Sequence, residues 1–128
     1  MKKYQSKSFI KSALHASNGL YLAFRTQKNF RKHIIIAIVV LILAFAFRAR
    51  TMEIAILVAT NTFVLVAELV NSVIEFVMDA YYKNKYSRLC KFAKDISAGA
   101  VLLCAISSAI IALILLLPRF IDIVKYYY

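Results

Sequence analysis

The sequence predicts an all-α integral membrane protein, an amphipathic surface helix followed by three transmembrane helices. Three observations predict it. Of 128 residues, 62% are apolar, against roughly 45–50% in an ordinary soluble domain, and the mean hydropathy is +0.73. The chain nevertheless carries 17 Lys and Arg against 6 Asp and Glu, a formal net charge of +11. Most of that charge lies in blocks that flank three long apolar runs. A soluble globule of this size could not hide so much apolar surface, and disorder requires low hydrophobicity. Two Cys, two Gly and one Pro exclude a disulfide scaffold, collagen and a turn-rich β fold. The length suits one domain, spanning residues 1–128.

The first element is basic. Residues 1–32 hold eight Lys and Arg, and no acid occurs before Glu53. Such a segment binds nucleic acid or an anionic membrane surface. The apolar run that follows favours the membrane, so no nucleic-acid partner is expected. Within residues 4–27, Phe9, Ala13, Leu20 and Phe24 fall near helical spacing with Lys11, Asn18 and Arg25 between them. This predicts an interfacial helix with a turn near Asn29; the bland alternative is a solvated basic tail.

The first span, residues 33–50, is built on 14 uninterrupted apolar residues, 34–47, short of the roughly 20 a bilayer needs. Lys32, His33, Arg48 and Arg50 extend its reach by snorkelling. The second span, 54–78, contains Asn61, Glu68, Asn71 and Glu75. A loop, 79–95, leads to the third span, 96–117, whose charge-free run ends at Pro118 before a tail, 118–128. The 33 mostly polar or amphipathic residues before the first apolar run argue against a signal peptide.

Counting Lys and Arg sets the orientation. The N-terminal segment has eight, and the 79–95 loop adds Lys83, Lys85, Arg88, Lys91 and Lys94. The opposite side has Arg48, Arg50, Arg119 and Lys125. Thirteen against four places the N-terminus and that loop in the cytoplasm. Glu53 and Asp122 read as ordinary loop and tail charges.

Several chemistries find no support. His15 and His33 stand far apart, and Cys90 and Cys104 have no CxxC partner, so no zinc site is expected and both thiols should be reduced. The only glycines are Gly19 and Gly99, which leaves no Walker A loop and no GxGxxG.

The informative feature is a polar stripe on the second span. Glu68, Asn71, Glu75 and Asp79 stand at i, i+3, i+7 and i+11, within roughly 80° of arc and along about 16 Å of helix. Asn61 extends the stripe toward the other leaflet. A carboxylate in the bilayer centre costs about 2.5–3.5 kcal/mol, so three need a reason. A hydrogen-bonding seam between helices is the structural alternative, although carboxylates on one face repel unless cations neutralise them. Glu75 and Asp79 fall near the cytoplasmic surface, where Lys94 and Asp95 open the third span. Carboxylates, an amide and a lysine gathered there suit Mg²⁺ with a polyphosphate. A small carrier is the rival reading, since a buried Glu serves carriers too; its charge would more often lie near the midplane.

The residues that form this stripe also carry a family resemblance. Glu68-Leu-Val-Asn71-Ser-Val-Ile-Glu75-Phe-Val-Met-Asp79, followed by Ala93-Lys94-Asp95-Ile-Ser-Ala-Gly99-Ala-Val-Leu-Leu, closely resembles the prokaryotic diacylglycerol kinases and related undecaprenol kinases. Gly19-Leu20 and Asn29-Phe30-Arg31 fit as well, so the resemblance covers about residues 9–117. It implies a homotrimer with active sites shared between subunits, in a bacterial cytoplasmic membrane. It implies phosphoryl transfer from ATP, with Mg²⁺, to a lipid hydroxyl. By the same resemblance Glu68 is the catalytic base and Asn71 supports that site. Glu75 is the principal Mg²⁺ ligand, Lys94 contacts the transferring phosphate, and Asp79 and Asp95 belong to the nucleotide site.

One position departs from the family pattern. Where the family has a second Mg²⁺-binding Glu, two residues before Asn29, this chain has Gln27. Its carbonyl is a weak substitute, supplying an oxygen but no charge. The acceptor expected is diacylglycerol or undecaprenol; the Asn-Phe-Arg form is more similar to the undecaprenol branch. A carrier or a non-catalytic membrane oligomer remains the alternative at this stage.

Overall fold

The computed structural model describes residues 9–83 and 85–127, so the start of the expected 4–27 helix lies outside the described residues. Four helices follow one another: α1 (Phe9–Thr26), α2 (Lys28–Ala46), α3 (Thr51–Tyr82) and α4 (Arg88–Tyr127). The last three are long and apolar enough to cross a membrane. At 1.5 Å per residue they run about 28, 48 and 60 Å, and a hydrocarbon core is about 30 Å thick.

α1 presents Phe9, Ile10, Leu14, Tyr21 and Phe24 without covering them, and buries only Ala23. The break before α2 falls at Gln27 rather than near Asn29. Gln27 is extended (φ −99°, ψ 108°), and Arg31 Nη1 donates to Phe24 O at 2.8 Å and to Arg25 O at 3.0 Å. The guanidinium thus satisfies carbonyls that the end of α1 leaves unpaired, and α2 begins at once.

α3 and α4 form an antiparallel pair with α2 against them. The buried residues of α3, Leu57, Asn61, Val64, Glu68, Asn71 and Ser72, recur every three or four positions, which is one helical face. α4 answers with Ser97, Val101, Ser108 and Leu116. Polar bridges join the pair at four levels: Glu53 with Arg119, Asn61 with Ser108, Asn71 with Ser97, and Asp79 with Lys94. An apolar core of Ala44, Leu57 and Leu116, with Val40, Phe47, Ile54 and Leu115 around it, closes one end.

Two helices are longer than the apolar runs that announced them. The 79–95 segment is mostly helical, with Lys83 as a left-handed cap (φ 44°) whose N–H donates to Asp79 O at 3.0 Å. α4 continues through Pro118. A proline removes one N–H and crowds the carbonyl four residues earlier, yet tertiary contacts just beyond it hold the helix. Arg119 Nη2 donates to Glu53 Oε1 at 2.8 Å, and Phe120 packs its ring 5.6 Å from that of Phe47. Glu53 is therefore no ordinary loop charge. Its other oxygen accepts from Arg50 N at 2.7 Å, so it caps α3 and ties α3 to α4. This cluster lies beyond the 54–78 and 96–117 runs, and the Arg119 hydrogen bond, then the Arg50 N–H, holds the Glu53 carboxyl below its usual range.

Candidate active site at the α3–α4 pair

Helical spacing alone puts Glu68, Asn71, Glu75 and Asp79 on one face of α3. Packing against α4 then differentiates them. Glu68 is 3% exposed and Asn71 5%, while Glu75 is half-buried and Asp79 exposed. The stripe therefore grades from enclosed to open toward the end where the α3–α4 turn lies.

Asn71, Glu75, Asp79 and Lys94 each have a polar side-chain neighbour. Ser97 Oγ lies 2.6 Å from Asn71 Oδ1 and 2.9 Å from Lys94 O, with one proton to donate to either. Asn71 Nδ2 donates to Glu75 Oε1 at 3.4 Å. Ser72 Oγ donates to Glu68 O at 2.9 Å, leaving the Glu68 carboxylate to other partners. Lys94 Nζ donates to Asp79 Oδ1. Lys94 precedes the 96–117 run, and that hydrogen bond pushes its ammonium above the usual lysine range, so it stays cationic. Asp95 stands about 100° further round α4, exposed, and takes no part in these bonds. Gln27, half-buried at the α1–α2 junction, lies at the same end of the bundle by chain topology.

The structure thus brings Glu68, Asn71, Glu75, Asp79 and Lys94 into one contiguous strip, and leaves Asp95 and Gln27 at its margin. Ser97 and Ser72 join it although the sequence reading had given them no part. Ser97 sits three residues after Lys94, one helical turn on, and that spacing was the available signal.

Among the described residues no three His, Cys, Asp or Glu side chains gather closely enough to cage a metal. An all-protein metal site is therefore not what this strip offers. One half-buried carboxylate at Glu75, with an exposed one at Asp79, instead fits a magnesium ion whose remaining ligands are phosphate oxygens and water.

An apolar cavity of about 560 Å³ opens beside the strip between α2, α3 and α4. His33, Asn61 and Ser108 are its polar linings, among side chains such as Val64, Ala105 and Leu113. Val64 and Asn61 stand one and two turns before Glu68 on the same face, so the cavity lies on the face of α3 that carries the buried carboxylate.

Comparison with known proteins identifies the family. The family model described as prokaryotic diacylglycerol kinase matches residues 14–116. A diacylglycerol kinase of Synechocystis sp. (strain ATCC 27184 / PCC 6803 / Kazusa) is 37% identical over 111 residues, covering 87% of this chain and 63% of that protein. An undecaprenol kinase of Bacillus subtilis (strain 168) is also 37% identical over 111 residues, covering 87% of this chain and 89% of that protein. The chain thus spans less than two thirds of the cyanobacterial relative and most of the Bacillus one. With the family match taking in all of the polar strip, the chain belongs to the prokaryotic diacylglycerol kinase family.

Proposed function

We propose that this protein is a lipid kinase that transfers the γ-phosphate of ATP to the hydroxyl of a membrane lipid, diacylglycerol or undecaprenol. The observation that carries this reading is the graded strip on α3. A carboxylate enclosed at Glu68 stands one turn beyond Val64, which lines an apolar cavity, and half-buried Glu75 with half-buried Lys94 and exposed Asp79 lies toward the open end of the strip. A lipid hydroxyl and a polyphosphate can meet there without either leaving its own solvent.

In this reading Glu68 takes the proton from the lipid hydroxyl as its oxygen attacks the γ-phosphorus, and ADP departs. Asn71, anchored by Ser97, holds Glu75 and the base in register. Magnesium would be held by Glu75, with the Gln27 carbonyl as a weak second ligand, and when bound it offsets phosphate charge. Lys94 exchanges Asp79 for a phosphate oxygen, and Asp79 and Asp95 order the nucleotide. Phosphoryl transfer needs positioning and charge neutralisation more than covalent chemistry, which is what such a strip provides.

The Lys and Arg distribution supports a cytoplasmic N-terminus and a cytoplasmic α3–α4 turn, in a bacterial cytoplasmic membrane. The homotrimer implied by the family resemblance is part of this reading, and the large apolar side chains left uncovered on α2, α3 and α4 would face lipid or neighbouring subunits.

The test is direct. Purified protein in micelles with Mg-ATP and either lipid should yield labelled lipid phosphate, and Glu68→Gln should abolish it while helical content and thermal unfolding persist. Full activity in the Glu68→Gln protein would remove the base from this account.

A further inference from the structure

Asn61 lies deep between α3 and α4. It is 9% exposed, and among the described residues its Nδ2 is the buried side-chain donor that lacks a hydrogen-bond partner. Ser108 Oγ reaches Asn61 Oδ1 at 3.4 Å, but one hydroxyl serves only one end of an amide. The amide lines the apolar cavity between α2, α3 and α4. An unpaired donor in such surroundings is destabilising, and in the hydrocarbon region water is not at hand to relieve it.

We propose that this cavity receives the chain of the acceptor lipid and that Asn61 Nδ2 donates to one of its ester carbonyl oxygens, which makes Asn61 a specificity-determining residue for ester-bearing acceptors. The inference rests on the lipid-kinase reading and adds to it a site for the part of the substrate that does not react.

Three features carry it. The orphan group is a donor, so its partner must be an acceptor oxygen, and the lining around it is otherwise almost wholly hydrocarbon. A glycerol ester combines the two, with carbonyl oxygens several bonds from its free hydroxyl and alkyl chains beyond. The register suits it as well: Asn61 is two turns from Glu68 on the same face of α3, about 10 Å along the axis. Both side chains lean toward the helix N-terminus alike, so that axial spacing is kept between their ends. A polyprenol has no oxygen besides its hydroxyl, and would leave the amide as it stands.

A second groove, of about 530 Å³, lies between α1, α2 and α3. Its Thr62 hydroxyl is already donated to Val58 O at 2.8 Å, and its Tyr21 side chain is exposed, so that groove offers hydrocarbon contact without a buried unmet donor.

The experiment compares a diacylglycerol with the dialkylglycerol of the same chain length, in which ether oxygens replace the ester carbonyls, on the full chain in micelles with Mg-ATP. The wild type should show a KM for the ester lipid about tenfold below that for the ether lipid. Asn61→Leu should bring the two together by raising the ester KM alone, with kcat retained. Equal ester and ether KM in the wild type, or an equal rise of both in the variant, overturns the proposal. Should Asn61→Leu fail to fold, Ala109→Phe, which narrows the cavity and keeps the amide, must raise KM for both lipids, and an unchanged KM overturns the proposal. A binding measurement separates this inference from the kinase reading. Without nucleotide, the ester lipid should raise the wild-type Tm more than the ether lipid does, and Asn61→Leu should erase the difference. That result with no lipid phosphorylated would sink the kinase reading alone; no Tm difference would sink the Asn61 contact alone.

Discussion

Ser97 Oγ lies 2.6 Å from Asn71 Oδ1, although 26 residues separate the two in sequence. The bond fixes the α4 turn that carries Lys94 against the α3 turn that carries Glu75. We expect Ser97→Ala to cost about 1 kcal/mol of stability and to lower kcat by roughly ten- to a hundredfold through misplacement of Asn71. Ser97→Thr should restore part of the loss. Kinase assays alongside thermal unfolding in micelles check both, and a Ser97→Ala enzyme with wild-type kcat would show that Asn71 needs no anchor.

By the family resemblance Gln27 stands where a carboxylate is usual, and in the proposed site it would offer an oxygen without charge. The wild type should therefore need an unusually high Mg²⁺ concentration for half-maximal activity, and Gln27→Glu should lower it severalfold, because added charge strengthens a hard-cation site. Mg²⁺ titrations of both proteins at saturating ATP decide this; coincident curves would place Gln27 outside the metal's reach.

The Glu53–Arg119 pair makes a pH-dependent contribution to stability whose sign is fixed. The Glu53 carboxyl titrates below its usual value when folded, so its contribution is present at neutral pH and is lost as pH falls through that lowered value. Glu53→Gln should lower the Tm at pH 7, and the gap to wild type should close on acidification. A gap that widens in acid would contradict the assignment.

Orientation can be read from Cys90, half-buried in the first turn of α4, with Cys104 about 21 Å further along the same helix. In a Cys104→Ser protein, a membrane-impermeant maleimide should label Cys90 in inside-out vesicles and spare it in intact cells. The reverse pattern would invert the topology.

Much of this molecule was legible from local pattern. The three long helices follow from apolar runs, and the Glu68–Asp79 strip from helical spacing, because both are properties of a single helix. What escaped depends on which helix meets which. Glu53 and Arg119 look like unrelated loop and tail charges until 66 residues of chain fold them together. The same pairing carries α4 through Pro118, where sequence alone marks an end. The α1–α2 break lies at Gln27 because Arg31 reaches back to the carbonyls of Phe24 and Arg25, a choice invisible in residue type. Ser97 is similar: its hydroxyl acquires meaning only when Asn71 arrives opposite.

The four polar bridges between α3 and α4 stand at successive depths, from Glu53–Arg119 at one end to Asp79–Lys94 at the other. Sliding or rolling one helix past the other by a single residue would strain every rung together, so the pair behaves as one stiff plank. α2 is held to it by apolar contact, which has no directional register. Any adjustment between the helices is therefore expected at the α2 seam, while the polar strip on α3 and α4 keeps its spacing.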